Sequence, residues 1–174
     1  MHGRVKWIAQ TGIFLSLLIV AQLATRPFGN SILTGSLVNM LLILTVMLCG
    51  LSSAMTIGAI SPFFAIMMGM GLWPFIPVII CGNLVIVVLW HLIALRREER
   101  SRLFEILALV VGAGAKFLVL YSGIVLLIVP LVLGLGEPQA SAVSAAFSWP
   151  QLLTGSIGGV LALLLYPVLK KAIK

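Results

Sequence analysis

Hydrophobic positions run along this chain in long unbroken blocks, and charged positions fall between the blocks. Trp7 to Thr25 carries no charge, Arg26 follows, and Pro27 to Leu95 again contains no Asp, Glu, Lys or Arg. A membrane crossing takes about 20 apolar residues, so that second block has the length of three helices joined by tight turns. Cys49-Gly50-Leu51-Ser52-Ser53 and Gly69-Met70-Gly71-Leu72-Trp73-Pro74 supply the breaks, because Gly and Pro punctuate helical patterns. A dense polar patch, Arg96 to Arg102, ends the block. A fifth apolar run follows, interrupted by Lys116 and Pro130, then a Gly-, Ala- and Ser-rich stretch at 134–148 that reads as a loop. A sixth run ends on Lys170, Lys171 and Lys174. The pattern predicts an all-α, integral membrane six-helix bundle, a single transmembrane domain over 1–174 with helices at about 7–25, 34–49, 54–70, 76–95, 103–133 and 149–169.

Composition agrees with that reading and narrows the function. Hydrophobic residues make up 61% of the chain and charged ones 9%, against about 25% charged in soluble domains. Lipid must therefore be the solvent for most of the exterior. Six crossings use about 120 residues, which leaves short loops and no separate catalytic domain. The net charge of +7 does not form a nucleic-acid-binding stripe, because the bases sit at the ends of the apolar runs. The two cysteines, Cys49 and Cys81, lie inside apolar runs and form neither a disulfide framework nor a metal motif. The N-terminal run is long and lacks a small-residue cleavage site, so it is expected to be a retained helix and not a removed signal.

Charge also gives an orientation. With six crossings both termini share a side. If that side is the cytoplasm, Arg4, Lys6, Arg96, Arg97, Arg100, Arg102, Lys170, Lys171 and Lys174 are inside and only Arg26 is outside. The reversed topology inverts that ratio, and positive-inside sorting disfavours it. Trp7 and Trp90 then fall toward the inner interface and Trp73 and Trp149 toward the outer one, as aromatic belts prefer.

Few residues carry chemistry. Lys116 lies well inside the fifth helix, roughly 20 Å from its start at 1.5 Å per residue. An ammonium at that depth costs at least about 2.5 kcal/mol on insertion scales. Glu98, Glu99, Glu105 and Glu137 all belong near helix ends or in a loop, so no carboxylate is expected beside it. Two readings stay open: Lys116 snorkels toward carbonyls and water, or an anionic ligand is its partner. The amides of Asn39, Asn83, Gln22 and Gln151 interrupt apolar runs and should face the bundle interior, either as interhelical hydrogen bonds or as the lining of one outward-facing pocket with Lys116. Tyr121, Phe147 and Trp149 would give that pocket an aromatic wall. The motif Leu-Thr-Gly-Ser occurs twice, at 33–36 and 153–156. Each copy opens a helix near the outer face, which suits either anion binding at a helix N-terminus or close helix packing. No metal site, no cofactor motif and no acid–base pair is visible, and no intramembrane carboxylate suggests ion coupling. These features suggest binding from outside, with energy supplied by a partner.

Four stretches carry a family resemblance: Leu33-Thr34-Gly35-Ser36-Leu37-Val38-Asn39, Gly58-Ala59-Ile60-Ser61-Pro62-Phe63-Phe64-Ala65, Pro77-Val78-Ile79-Ile80-Cys81-Gly82-Asn83 and Trp149-Pro150-Gln151-Leu152-Leu153-Thr154-Gly155. With them the whole chain resembles the substrate-binding S component of an energy-coupling factor (ECF) vitamin transporter. The resemblance implies a non-enzymatic, multi-pass protein of the prokaryotic plasma membrane that captures a vitamin or related micronutrient. It implies a transmembrane coupling subunit and two cytoplasmic ATPase subunits as partners. It also implies a first loop, here Arg26 to Thr34, that closes over the site. The family's Ala-x-x-x-Ala docking face on the first helix is not reproduced; the nearest small residues are Ala9, Gly12 and Ser16. The expected substrate-binding set is Lys116, Asn83, Gln151, Asn39, Tyr121, Trp149 and Arg26. An anionic vitamin such as pantothenate fits the charge, and a neutral pyrimidine or a folate-like compound stays open. The alternatives are a non-catalytic scaffold of a cell-envelope complex and, less consistent with the residues, a membrane enzyme.

Overall fold

A computed structural model describes residues 2–96 and 101–172. Arg97, Glu98, Glu99, Arg100 and Lys174, used in the charge argument above, lie outside the described residues. Among the described residues every regular element is a helix, with no strand. Its helices are α1 (His2–Thr25), α2 (Ser31–Leu48), α3 (Leu51–Met67), α4 (Ile76–Trp90), α5 (Arg102–Leu120), α6 (Glu137–Ala146) and α7 (Pro150–Ala172). A π-helical turn, His91–Leu95, prolongs α4, and a longer π-helical stretch, Tyr121–Leu133, prolongs α5. Five segments are long and apolar enough to cross a membrane: Gly3–Phe28, Ser31–Leu48, Trp73–Leu95, Arg102–Leu133 and Glu137–Lys171. The sixth, Leu51–Met67, has 17 residues, the lower limit for a span.

Local chemistry explains the boundaries. Asn30 caps α2, its side-chain oxygen accepting from Ile32 N–H at 2.9 Å and Leu33 N–H at 3.2 Å. That cap starts α2 three residues before the expected position. Gly50, at φ +92°, makes the turn that folds α3 back on α2, a backbone conformation that side-chain-bearing residues avoid. Pro130 cannot donate to a helical ladder, and the wider π pattern around it absorbs the defect without ending the helix. The expected loop at 134–148 contains α6, which begins after Gly136 with Pro138 in its first turn. Proline is pre-organised for a helix start, and the Ala-rich stretch behind it carries high helix propensity. Those two local signals outweigh the Gly and Ser content on which the loop reading rested.

The exterior is apolar. Ile8, Ile13, Val20, Val110, Leu118, Leu127, Leu164 and Val168 are all exposed, and soluble monomers seldom show such continuous apolar surface. Inside, α2 is the central helix, with every residue from Leu41 to Val46 buried. Those residues pack with Phe14, Leu18, Ile57, Ile86, Val87, Trp90, Ala108 and Ala162 into a solid core at one half of the bundle. A smaller cluster of Phe75, Leu120, Ile124, Ile128 and Val129 closes part of the other half. The remaining space there is open.

Candidate functional site

The doubled Leu-Thr-Gly-Ser motif positions that open half. A Cβ on Gly35 would stand 2.8 Å from Thr154 Cγ2, and one on Gly158 would stand 2.6 Å from both Ser36 O and Asn39 Cβ. Gly155 meets Ala113 of α5 equally closely. Backbone approach of this kind needs small residues, so the motif serves close packing of α2 on α7 and of α7 on α5. It brings three polar side chains within reach of one another where hydrocarbon would otherwise be expected.

Lys116 occupies the centre. Its Nζ donates to Asn39 Oδ1 of α2 at 2.6 Å and to Asn83 Oδ1 of α4 at 2.7 Å. Asn39 Nδ2 donates onward to Thr154 Oγ1 at 3.2 Å, and Thr154 Oγ1 donates to Gln151 O at 3.0 Å. Asn83 Nδ2 donates to Gly58 O of α3 at 3.1 Å. One polar network therefore ties α2, α3, α4, α5 and α7 together. Lys116 is 5% exposed, Asn39 1% and Asn83 2%, so the ammonium does not snorkel to an interface. Both of its hydrogen-bond partners are neutral amide oxygens, and an ammonium has three N–H donors, so one is left over.

This network forms the floor of a cavity of about 440 Å³. Gln22 and Thr25 from the end of α1 line it, with Arg26, Gly29 and Asn30 from the loop that follows. Thr34, Gly35 and Val38 of α2, Ser61, Pro62, Ala65 and Ile66 of α3, Ile79 of α4, Leu120 of α5, and Phe147 and Gln151 complete the wall. Thr34 Oγ1 donates to Thr25 Oγ1 at 2.7 Å, which fastens the start of α2 to the end of α1. Arg26 stands at the rim, its Nη2 against Gly69 of the α3–α4 turn. Among the described residues, the lining contains two cations, Lys116 and Arg26, and no carboxylate. The site therefore presents positive charge with no internal counter-charge, and a low-dielectric wall strengthens its attraction for an anion.

Of the residues expected from sequence, Lys116, Asn39, Asn83, Gln151 and Arg26 converge on this cavity, as does Phe147. Two do not line it. Trp149 is 62% exposed on the outer surface, and Tyr121 stacks on Phe117 with ring centroids 5.6 Å apart. Sequence reasoning gave no role to the hydroxyls of Thr25 and Ser61, which are buried here, and read Thr154 only as part of its motif; a small hydroxyl inside an apolar run is too common in membrane helices to single out. Ala9, Gly12 and Ser16 lie along one exposed face of α1, in a shallow groove with Ile8, Ile13, Leu17 and Val20. A Cβ on Gly12 would meet nothing within 4 Å, so its smallness is not used by this chain's own packing. Among the described residues no group of His, Cys, Asp or Glu is arranged to hold a metal ion.

Comparison with known proteins agrees with this geometry. The family model for the ECF transporter, substrate-specific component, matches residues 6–170. No curated protein and no solved structure matches the chain. With the match covering nearly the whole length, this multi-pass membrane protein belongs to the substrate-specific components of ECF transporters, the non-catalytic subunits that bind a substrate for uptake.

Proposed function

We propose that this chain forms one transmembrane domain in the prokaryotic cell membrane and captures a vitamin or related micronutrient with high affinity in the cavity floored by Lys116. Both termini face the cytoplasm, and the cavity, at the opposite end of the bundle, opens outside. The imbalance of bases between the two ends supports that orientation. The family implies membrane and ATPase partners; in this reading a transmembrane coupling subunit seats on α1 at Ala9, Gly12 and Ser16, and two ATPase subunits drive release.

The observation that carries the reading is the buried, preorganised ammonium in an open cavity without a carboxylate. A cation held at membrane depth is costly, and the two asparagines meet only part of its hydrogen-bonding need. An anionic group of the substrate, received by the third N–H of Lys116 and approached by Arg26, completes it. Asn39, Asn83 and Gln151 hold that floor in place. The volume falls within the range of about 300–1,000 Å³ usual for small-molecule sites.

The test is thermal denaturation of the purified protein with each water-soluble vitamin in turn, repeated on Ala65→Trp, which fills the cavity. We expect one compound to raise the melting temperature of the wild type and not of the variant, while the two ligand-free proteins melt alike. A vitamin that stabilises both proteins equally, or no stabilising vitamin at all, refutes the assignment.

A further inference from the structure

The wall of the cavity says more about the substrate than its charge. Flat heteroaromatic ligands are held by aromatic rings placed against their faces, in stacked or edge-to-face pairs. Here Phe147 is the single aromatic residue on the lining, and its ring is already engaged edge-on by Phe75, centroids 5.3 Å apart at 64°. Tyr121 and Trp149 are directed elsewhere. The rest of the apolar wall is aliphatic, formed by residues such as Val38, Ile66, Ile79 and Leu120. Among the described residues, no aromatic ring of the lining lies free to stack on a planar ring system.

Two polar atoms of the wall lack partners. Gln22 Oε1 and Ser61 Oγ are buried and without a hydrogen bond, and both residues belong to the lining. Gln22 is 5% exposed and Ser61 1%. Buried polar atoms in native structures are almost always satisfied, and an amide oxygen accepts but does not donate. The unmet capacity at Gln22 Oε1 calls for an N–H or O–H. Ser61, whose hydroxyl rotates, serves either role. Both residues line the cavity floored by Lys116, whose ammonium has one N–H unspent.

From this juxtaposition we propose that the substrate is a flexible aliphatic carboxylate carrying hydroxyl or amide N–H donors, not a flat heteroaromatic compound. The carboxylate meets Lys116, and a donor along the chain meets Gln22 Oε1. The aliphatic wall packs on the carbon skeleton between them. The inference rests on the reading of this cavity as the substrate site.

Isothermal titration against pantothenate, an acyclic hydroxy-amide acid, and against riboflavin and folate as flat-ring probes separates the two levels of the argument. We expect pantothenate to bind at least about 100-fold more tightly than either ring compound. Gln22→Met should weaken pantothenate about tenfold, the size of one buried hydrogen bond. The same variant should leave unchanged the weaker binding of hexanoate, which has the carboxylate and no donor. Tight binding of riboflavin or folate that Ala65→Trp abolishes overturns the aliphatic assignment and keeps the cavity as the site. Equal losses for pantothenate and hexanoate in Gln22→Met overturn the role of Gln22, because general damage to the wall does not distinguish them. Failure of every vitamin to bind in the cavity removes the functional reading and this inference with it.

Discussion

Replacing Lys116 with Met separates a binding cation from a structural strut, because the two roles predict different ratios of stability loss to affinity loss. Methionine keeps the length of the side chain and removes the charge. The substitution leaves Asn39 Oδ1 and Asn83 Oδ1 without their donor, at about 1–3 kcal/mol each. It also removes an ammonium from the membrane interior, which returns about 2.5–3.5 kcal/mol. The two effects nearly cancel, leaving a net destabilisation of about 1 kcal/mol. For a chain of this size that lowers the melting temperature by about 2–4 °C, on the scaling of soluble domains. Affinity responds far more. Truncating one partner of a buried charge pair costs about 2–5 kcal/mol, a loss of about 30-fold to several thousand-fold in Kd. Thermal denaturation in nanodiscs and titration with the substrate measure the two quantities on one preparation. A melting temperature lowered by more than about 10 °C, with the Kd of the remaining folded protein unchanged, would refute the reasoning and make Lys116 a strut.

Other changes test the packing, the docking face and the charge. Gly158→Leu drives a side chain into Ser36 O and Asn39, where even a Cβ stands 2.6 Å away. It should destabilise the protein by about 1–3 kcal/mol or more, read as a clear fall in melting temperature, and weaken substrate binding by displacing Asn39. Gly12→Leu meets no atom of its own chain and should change stability by less than about 0.5 kcal/mol with substrate Kd intact, yet reduce co-purification with the coupling subunit; full co-purification would clear that face of the role. Asn39→Asp sets a carboxylate against Lys116 and neutralises the floor, so an anionic substrate should bind at least about tenfold more weakly, measured by titration. Unchanged affinity in that variant would show that the substrate does not use the charge of Lys116.

The long apolar blocks made the helical membrane architecture legible, because the hydrophobic run length is itself the physical requirement for crossing lipid. Lys116 was legible for the complementary reason, as the one charge inside such a block. Its partners were only half legible. Asn39 and Asn83 stood out as amides in apolar runs, but nothing in a linear sequence says that two helices bring their oxygens to within 2.7 Å of one ammonium. The contribution of α1 was the least visible. Gln22 was noticed among the amides facing the bundle interior but not placed in the expected binding set, because a linear pattern does not say which interior amides meet. Tyr121 and Trp149 show the opposite error. Aromatic identity suggested a wall, but facing is set by helical register, and the bulky rings turned to Phe117 and to the exterior. The short helix α6 was obscured by Gly and Ser content that favours loops only when no start signal precedes it.

The distribution of polar groups supports our proposal that the cavity is a substrate site. Buried polar groups cost stability when unpaired, so a bundle selected for stability alone would fill this half with aliphatic side chains, as its other half is filled from Leu41 to Val46. Instead the floor is a hydrogen-bond network that ties five helices together. Thr154, Asn39 and Asn83 spend their donors on one another and on backbone carbonyls, which fixes the ammonium and leaves little to rearrange when a partner arrives. Gln22 and Ser61, each with an unpaired buried atom, line the cavity together with Lys116. Trp90 Nε1, buried within the solid half, and Ser36 Oγ of α2 are also unpaired and belong to residues that do not line the cavity. A substrate that supplies an anion and a donor meets the groups of the lining on a scaffold already in place, which limits the ordering cost of binding.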